Sequence, residues 1–265
     1  MRLLASLSAA LVLASACSRQ VQVGGAPEPS ASHDPLITSA DQLLETMHAR
    51  YAGRWFRNTT FVQKSTYFRP DGSTSRVETW YEAAALPGRL RIDLGELAKE
   101  NGILYRNDSL YQVQGGRIAD RRSGTNPLLV LAFDVYAQPA SKTFDQLRRL
   151  GFNLTVLRID SLNGKRMYVV GAGPRDSTTN QFWIEEDRLL FARMIQTDQR
   201  GRTQDIRFEG YVQHGGGWIA ELVRFFMDGR VFFLEEYSDV RVNVTLDENL
   251  FVPEKWSTAT HWYSR

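Results

Sequence analysis

The apolar positions change period along the chain, and the period divides it into segments. Residues 3–13 are an unbroken run of apolar and small residues. After an irregular polar stretch, Leu43, Leu44, Met47 and Tyr51 recur at helical spacing, with Ser39 placed to cap the start and Gly53 to end the helix. Alternation then takes over. Residues 61–68 and 75–85 flank the turn Pro70-Asp71-Gly72. In 88–94, Leu90, Ile92 and Leu94 face one way and Arg89, Arg91 and Asp93 the other, which predicts one dry and one wet face. Residues 103–106 and 110–114 flank Asn107-Asp108 as a hairpin, and a third short strand follows Gly115-Gly116.

Helical spacing returns once. Asn126-Pro127 opens an apolar helix through Leu128, Leu129, Leu131, Ala132, Val135 and Tyr136, and Gln138-Pro139 stops it. A second helical piece covers 141–150 and ends at Gly151. Strands resume at 154–159 and 165–170 across Asn163-Gly164, then at 181–185 and 189–196. The segments 203–212, 218–227 and 230–244 form a long meander, its last turn at Asp228-Gly229. The fold class is therefore mainly β (α+β), with about eleven strands and two or three short helices. A meander this long must close or bury one face, and so few helices cannot cover two. The expected architecture is a curved antiparallel sheet, an incomplete β-barrel, wrapped over the helices. Between the layers lies either a filled core or an apolar hollow fit for a greasy ligand.

Charge and cysteine usage narrow the classes. Thirty-two Lys+Arg against 30 Asp+Glu exclude a polybasic nucleic-acid binder, and 43% apolar residues exclude a low-complexity chain. The 6 Trp, 10 Tyr and 14 Phe fit a β-rich fold with much ring surface to bury. A single cysteine excludes an intramolecular disulfide scaffold and any Cys-based metal site. That cysteine, Cys17, follows Ala14-Ser15-Ala16 and the apolar run, behind the positive start Met1-Arg2. Residues 1–16 read as a signal peptide, too short to span a bilayer. The order Leu13-Ala14-Ser15-Ala16-Cys17 resembles the lipobox of bacterial lipoproteins, with Ala14 where Leu is usual. Cys17 is thus the expected lipid-attachment residue. Residues 17–38, rich in Pro, Gly and Ser, read as a flexible tether with a reach of roughly 25 Å. Residues 39–265 form the folded domain. The lipobox resemblance implies a lipid-anchored protein of the bacterial cell envelope, and Ser18 rather than Asp favours the outer membrane, facing the periplasm.

Signals of catalysis are poor. His48, His214 and His261 lie in no metal-binding array, and neither a nucleophile elbow nor a phosphate-binding loop occurs. Gly215-Gly216-Gly217 precedes a strand, so it reads as a hairpin loop. Glu185-Glu186 and Glu235-Glu236 point to opposite faces of a strand and are expected to solvate strand ends and edges. The four N-x-S/T triplets at Asn58, Asn107, Asn153 and Asn243 read as chance occurrences in a chain of bacterial type. The expectation is a non-enzyme with no catalytic residue, metal or cofactor. The tail with Trp256, His261, Trp262 and Tyr263 is expected to pack over the sheet rather than to touch a membrane.

The order of five motifs carries a resemblance across residues 39–255. Phe61-Val62-Gln63-Lys64 is followed by Leu86-Pro87-Gly88-Arg89-Leu90-Arg91, then Asn101-Gly102-Ile103-Leu104-Tyr105. Thr125-Asn126-Pro127-Leu128-Leu129 and the closing 243–251 segment complete the series. This order resembles the LolA/LolB-like lipoprotein carriers of the bacterial periplasm. The resemblance implies an incomplete barrel with helices as a lid over an apolar cavity that takes acyl chains. The soluble carrier has an Arg before the strand Pro that ties the lid. Here Leu86 stands in its place, and Leu90 stands where the family has a guarding aromatic. The missing Arg and the anchor at Cys17 favour a tethered acceptor or a general lipid-binding lipoprotein over a shuttle. The candidate cavity residues are Leu44, Met47, Leu86, Leu90, Ile92, Leu129 and Phe133. The implied partners are lipid acyl chains or lipoproteins, and a membrane through the anchor. No nucleic acid is expected, and the chain is read as a monomer. The alternative is a structural or sensory envelope lipoprotein that uses the same fold for protein–protein contact.

Overall fold

The computed structural model describes residues 36–263. The expected signal peptide (1–16), Cys17 and the expected tether (17–38) as far as residue 35 lie outside the described residues.

Thirteen strands form one antiparallel sheet. One meander runs through β1 (Asn58–Phe68), β2 (Thr74–Ala85), β3 (Arg89–Leu94), β4 (Gly102–Arg106), β5 (Ser109–Gln114) and β6 (Arg117–Ser123). The other runs through β7 (Leu157–Leu162), β8 (Lys165–Val170), β9 (Gln181–Glu185), β10 (Phe191–Thr197), β11 (Thr203–His214), β12 (Gly217–Met227) and β13 (Arg230–Val242). The two meanders join where β1 pairs with β13, and the sheet ends at β6 and β7 without closing. The count is thirteen rather than about eleven, because every segment read as a strand forms, the two short edge strands β6 and β7 included. β6 is exposed along its whole length and bears Arg117, Asp120, Arg121 and Arg122, charges that discourage further strand pairing. The hairpin turns follow the sequence chemistry: Asn107 and Asp108 both have positive φ (51° and 54°), as do Asn163-Gly164 and Asp228-Gly229.

The helices cover one face. α1 (Ala40–Tyr51) is capped by the Ser39 hydroxyl, which accepts the Gln42 N–H at 3.2 Å. A second helical stretch comprises α2 (Pro127–Leu129), a π-helical turn (Val130–Asp134) and α3 (Val135–Ala137). The Asn126 carboxamide oxygen accepts the N–H groups of Leu128 and Leu129 at 2.9 and 3.3 Å, with Pro127 in the first turn. α4 (Ala140–Arg149) follows. Leu43, Leu44, Met47, Leu131, Val135 and Leu147 of these helices form one core with Val170, Phe182, Ile184, Phe191 and Val223 of the sheet. Two hydroxyls fasten this end: Tyr51 donates to the Arg188 carbonyl at 2.7 Å and Tyr136 to the Leu189 carbonyl at 2.9 Å. The Trp55 ring stacks on Tyr136 at 4.0 Å.

The opposite face of β2–β4 is covered by the C-terminal tail. Leu250, Phe251 and Trp256 pack against Ala83, Ala85, Leu104 and Val113. Gly102 makes room for this: a Cβ there would stand 2.5 Å from the Trp256 ring and 2.2 Å from the Ile92 carbonyl oxygen. The expected wet face of β3 is therefore corrected. Arg91 and Asp93 are only 3% and 4% exposed, because the tail lies over them. Arg91 donates to both Asp93 carboxylate oxygens, at 2.8 and 2.7 Å, and its guanidinium lies 3.7 Å from the centre of the Trp256 ring. His261 adds a hydrogen bond to Asp93 at 3.2 Å. Burial alone would raise the Asp93 pKa, but the His261 and Arg91 hydrogen bonds and the Arg91 charge outweigh it and hold the carboxyl below its ordinary value. The tail aromatics pack over the sheet, as expected.

Candidate ligand-binding site

The N-terminal half of the second helical stretch lies over a small hollow of about 80 Å³. β2 and β3 supply Trp80, Ala84, Leu90 and Ile92 to its wall, and β1 and β11 supply Phe61 and Phe208. Leu128, Leu129 and Phe133 close it from above, with Asn126 at the helix start. Alternation explains the convergence. Trp80, Glu82 and Ala84 share one face of β2, and Ala84 pairs with Leu90 and Glu82 with Ile92 across the ladder.

The structure brings together four of the candidate cavity residues, Leu90, Ile92, Leu129 and Phe133, as lining of one hollow. Leu86 packs at its rim against the cluster of Ala84, Leu90 and Leu129. Leu44 and Met47 are placed elsewhere. Both are fully buried in the core beneath α1 and line no part of this hollow. Cys17 lies outside the described residues.

The greasy wall has a polar floor that the sequence reading missed. Glu82 of β2 and Glu235 of β13 both line the hollow, on the two strands that flank β1. Their β1 partners, Phe61 and Ser65, share a face with Gln63. Tyr237 donates its hydroxyl to Glu235 at 2.7 Å. Gln63, wholly buried, donates to the Ser65 hydroxyl at 2.8 Å, and its carboxamide oxygen has no partner. Glu82 is 6% exposed. Burial, then the Glu235 charge, pushes its pKa well above the usual carboxylate range. Burial pushes Glu235 up to about 7, against the Tyr237 and Gln63 hydrogen bonds, which pull it down. Glu235 is half-buried and lines the hollow.

The expectation that Glu235-Glu236 and Glu185-Glu186 solvate strand edges is corrected by the same alternation. Glu236 faces out to Lys64 at 2.7 Å, whereas Glu235 faces in. Glu185 is 5% exposed and held by Lys165 and Arg188, while Glu186 pairs with Arg166. The signal was present in the sequence: Trp80-x-Glu82-x-Ala84 and Phe233-x-Glu235-x-Tyr237 each put a carboxyl in phase with a strand's apolar face.

A second buried carboxyl ties the helical stretch to the sheet. Asp134, in the π-helical turn, is 1% exposed and accepts the Gly88 N–H at 2.9 Å, while its other oxygen has no partner. The position read as lacking a polar tie, the segment Leu86-Pro87-Gly88, thus has one of another kind: a helix carboxyl on a strand-turn amide. Burial pushes Asp134 up to about 7, and the Gly88 hydrogen bond and Lys142 charge reduce that rise.

No family model matches the sequence, and a search of curated proteins finds no match. Solved structures do match in shape. A DUF1329 family protein from Desulfovibrio piger aligns with a TM-score of 0.55 at 14% identity, over 80% of this chain and 95% of its own. A LolA superfamily protein from Nitrosomonas europaea aligns at 0.53 and 15%, over 81% and 98%. A domain named for outer membrane lipoprotein sorting, from Vibrio parahaemolyticus, aligns at 0.53 and 11%, over 82% and 97%. The chain has the LolA-type fold.

Proposed function

We propose that the protein is a membrane-tethered lipid- or lipoprotein-binding protein of the bacterial envelope, anchored through Cys17 and holding hydrocarbon under the helical stretch 127–137. The reading is carried by one observation: an apolar hollow roofed by Leu128, Leu129 and Phe133, where the helix departs from regular hydrogen bonding. π-helical turns recur at functional sites. The hollow is smaller than the ~150 Å³ cavity that accepts benzene, so uptake of a long chain requires the roof to lift. Lifting exposes side chains worth about 1.5–3 kcal/mol each when buried. An entering chain regains that free energy by covering the same surface. Release of the chain to water costs about 0.8 kcal/mol per methylene, so hand-over between two facing hollows is the favourable route. No group on the protein needs to react.

The fold neighbours support this reading, since one is named for outer membrane lipoprotein sorting. Anchoring and an outer-membrane address rest on the sequence around Cys17. The second reading, a structural or sensory lipoprotein, is favoured by the small volume of the hollow. Mass spectrometry of the protein purified gently from envelopes separates the two. Co-purified acyl lipids at about one per chain are expected, together with a lipid-modified Cys17 peptide. A lipid-free protein that also fails to take up added lipid overturns the binding reading.

A further inference from the structure

The floor of the hollow is more polar than hydrocarbon needs. Among the described residues, neither Glu82 nor Glu235 is paired with a Lys, Arg or His. Among the described residues Glu82 has no hydrogen-bond partner, and Glu235 accepts from Tyr237 and is held down by Gln63 as well. Independently of the two carboxyls, the Gln63 carboxamide oxygen is fully buried and unpartnered. With both carboxyls ionised, acceptors outnumber donors where Glu82, Glu235 and Tyr237 line the cleft, with the Gln63 oxygen buried behind them on the same face of β1. Leaving such groups unmatched is costly, and the titratable groups facing them are each other, Tyr237 and Tyr105. A primary ammonium has three donors, no acceptor and a positive charge, which complements this floor. A carboxylate or phosphate head would add a further negative charge. The aromatic rings of Trp80 and Phe61 beside the floor suit a cation as well.

We propose that this floor is a cation site, so that the hollow selects amphiphiles whose chain lies under the helix and whose primary ammonium head is held by Glu82 and Glu235. This rests on the reading of the hollow as a hydrocarbon site and adds the chemical class of the head. Binding displaces protons from the carboxyls, because the bound charge favours their ionised form.

The test uses the full chain, made unlipidated as Cys17→Ser, and three probes of one chain length: dodecylamine, dodecanol and dodecanoate at pH 7.5. The amine is expected to bind at least tenfold more tightly than the alcohol, and the acid more weakly than either. Amine binding is expected to release about one proton, read as heat that varies with buffer ionisation enthalpy. The Glu82→Gln/Glu235→Gln variant, folded by circular dichroism, is expected to bind amine and alcohol within about threefold of each other. Alcohol binding without an amine preference, or a preference that survives the double variant, overturns the cation site and leaves the hydrocarbon hollow standing. Failure of all three probes to bind overturns both.

Discussion

Strands β2 and β3 carry two buried ionisable clusters on opposite faces, and the two are built on contrary rules. On the tail-covered face, Arg91 and Asp93 meet through two short hydrogen bonds, with His261 and Trp256 completing the shell. On the hollow face, Glu82 and Glu235 sit without a cation. The first cluster satisfies its charges inside the chain and needs nothing further. The second stores an imbalance that only protons or an added group can relieve. Burial depth is similar for Asp93 and Glu82, so depth does not separate them. What separates them is the partner, and the unpartnered one faces the cavity.

The largest expected effect comes from breaking the matched cluster. Asp93→Ala leaves Arg91 buried and unpaired, which should cost about 3–5 kcal/mol in urea unfolding at pH 7. A loss under 1 kcal/mol would mean that the two clusters do not differ as described.

The next effect is in pH. Asp134 and Glu235 have folded-state pKa values raised to about 7, so the folded state binds their protons more tightly than the unfolded one. Stability then falls as pH rises from about 4.5 to 7, by roughly 2–4 kcal/mol per group. Asp93 has the opposite sign: its pKa is lowered, and its contribution is lost as pH falls below about 4. Chemical denaturation from pH 3 to 9 should therefore show a maximum between about pH 4 and 4.5. Asp134→Asn should flatten the high-pH side. A flat or rising limb between pH 5 and 8 would contradict the assignment.

Smaller effects sharpen the contrast. Ala84→Leu fills the hollow and is expected to cost about 1–3 kcal/mol by overpacking while abolishing uptake of a long-chain alcohol. Glu82→Gln removes a buried ionisable group without changing shape and is expected to be neutral or to stabilise by about 1 kcal/mol at pH 8. A loss of 2 kcal/mol or more would mean that Glu82 has a structural partner after all.

The sequence carried the sheet because each local signal was strong. The Asn107-Asp108, Asn163-Gly164 and Asp228-Gly229 turns, the Ser39 cap and the Leu43–Tyr51 stripe all lie where their spacing put them. Half of the hollow was legible for the same reason: Leu90 and Ile92 follow from alternation, and Leu129 and Phe133 from a helix that begins at Asn126-Pro127. The rest depends on chain segments distant in sequence. Arg91 and Asp93 read as solvent-facing because nothing local says that residues 250–263 return to cover them. Glu82 and Glu235 are 153 positions apart and become neighbours only through the pairing of β1 with both β2 and β13. Leu44 and Met47 fill a core rather than line a cavity, a difference of packing that periodicity does not encode.

The central claim is that a hydrocarbon chain enters between helix 127–137 and the sheet, and Trp80 in the wall of the hollow reports on it directly. Titration of a brominated long-chain alcohol should quench one tryptophan's share of the fluorescence, saturably and at one molecule per protein, and the Trp80→Phe variant should lose that quench while still binding. Absence of saturable quenching, or quenching unchanged in Trp80→Phe, would contradict the account.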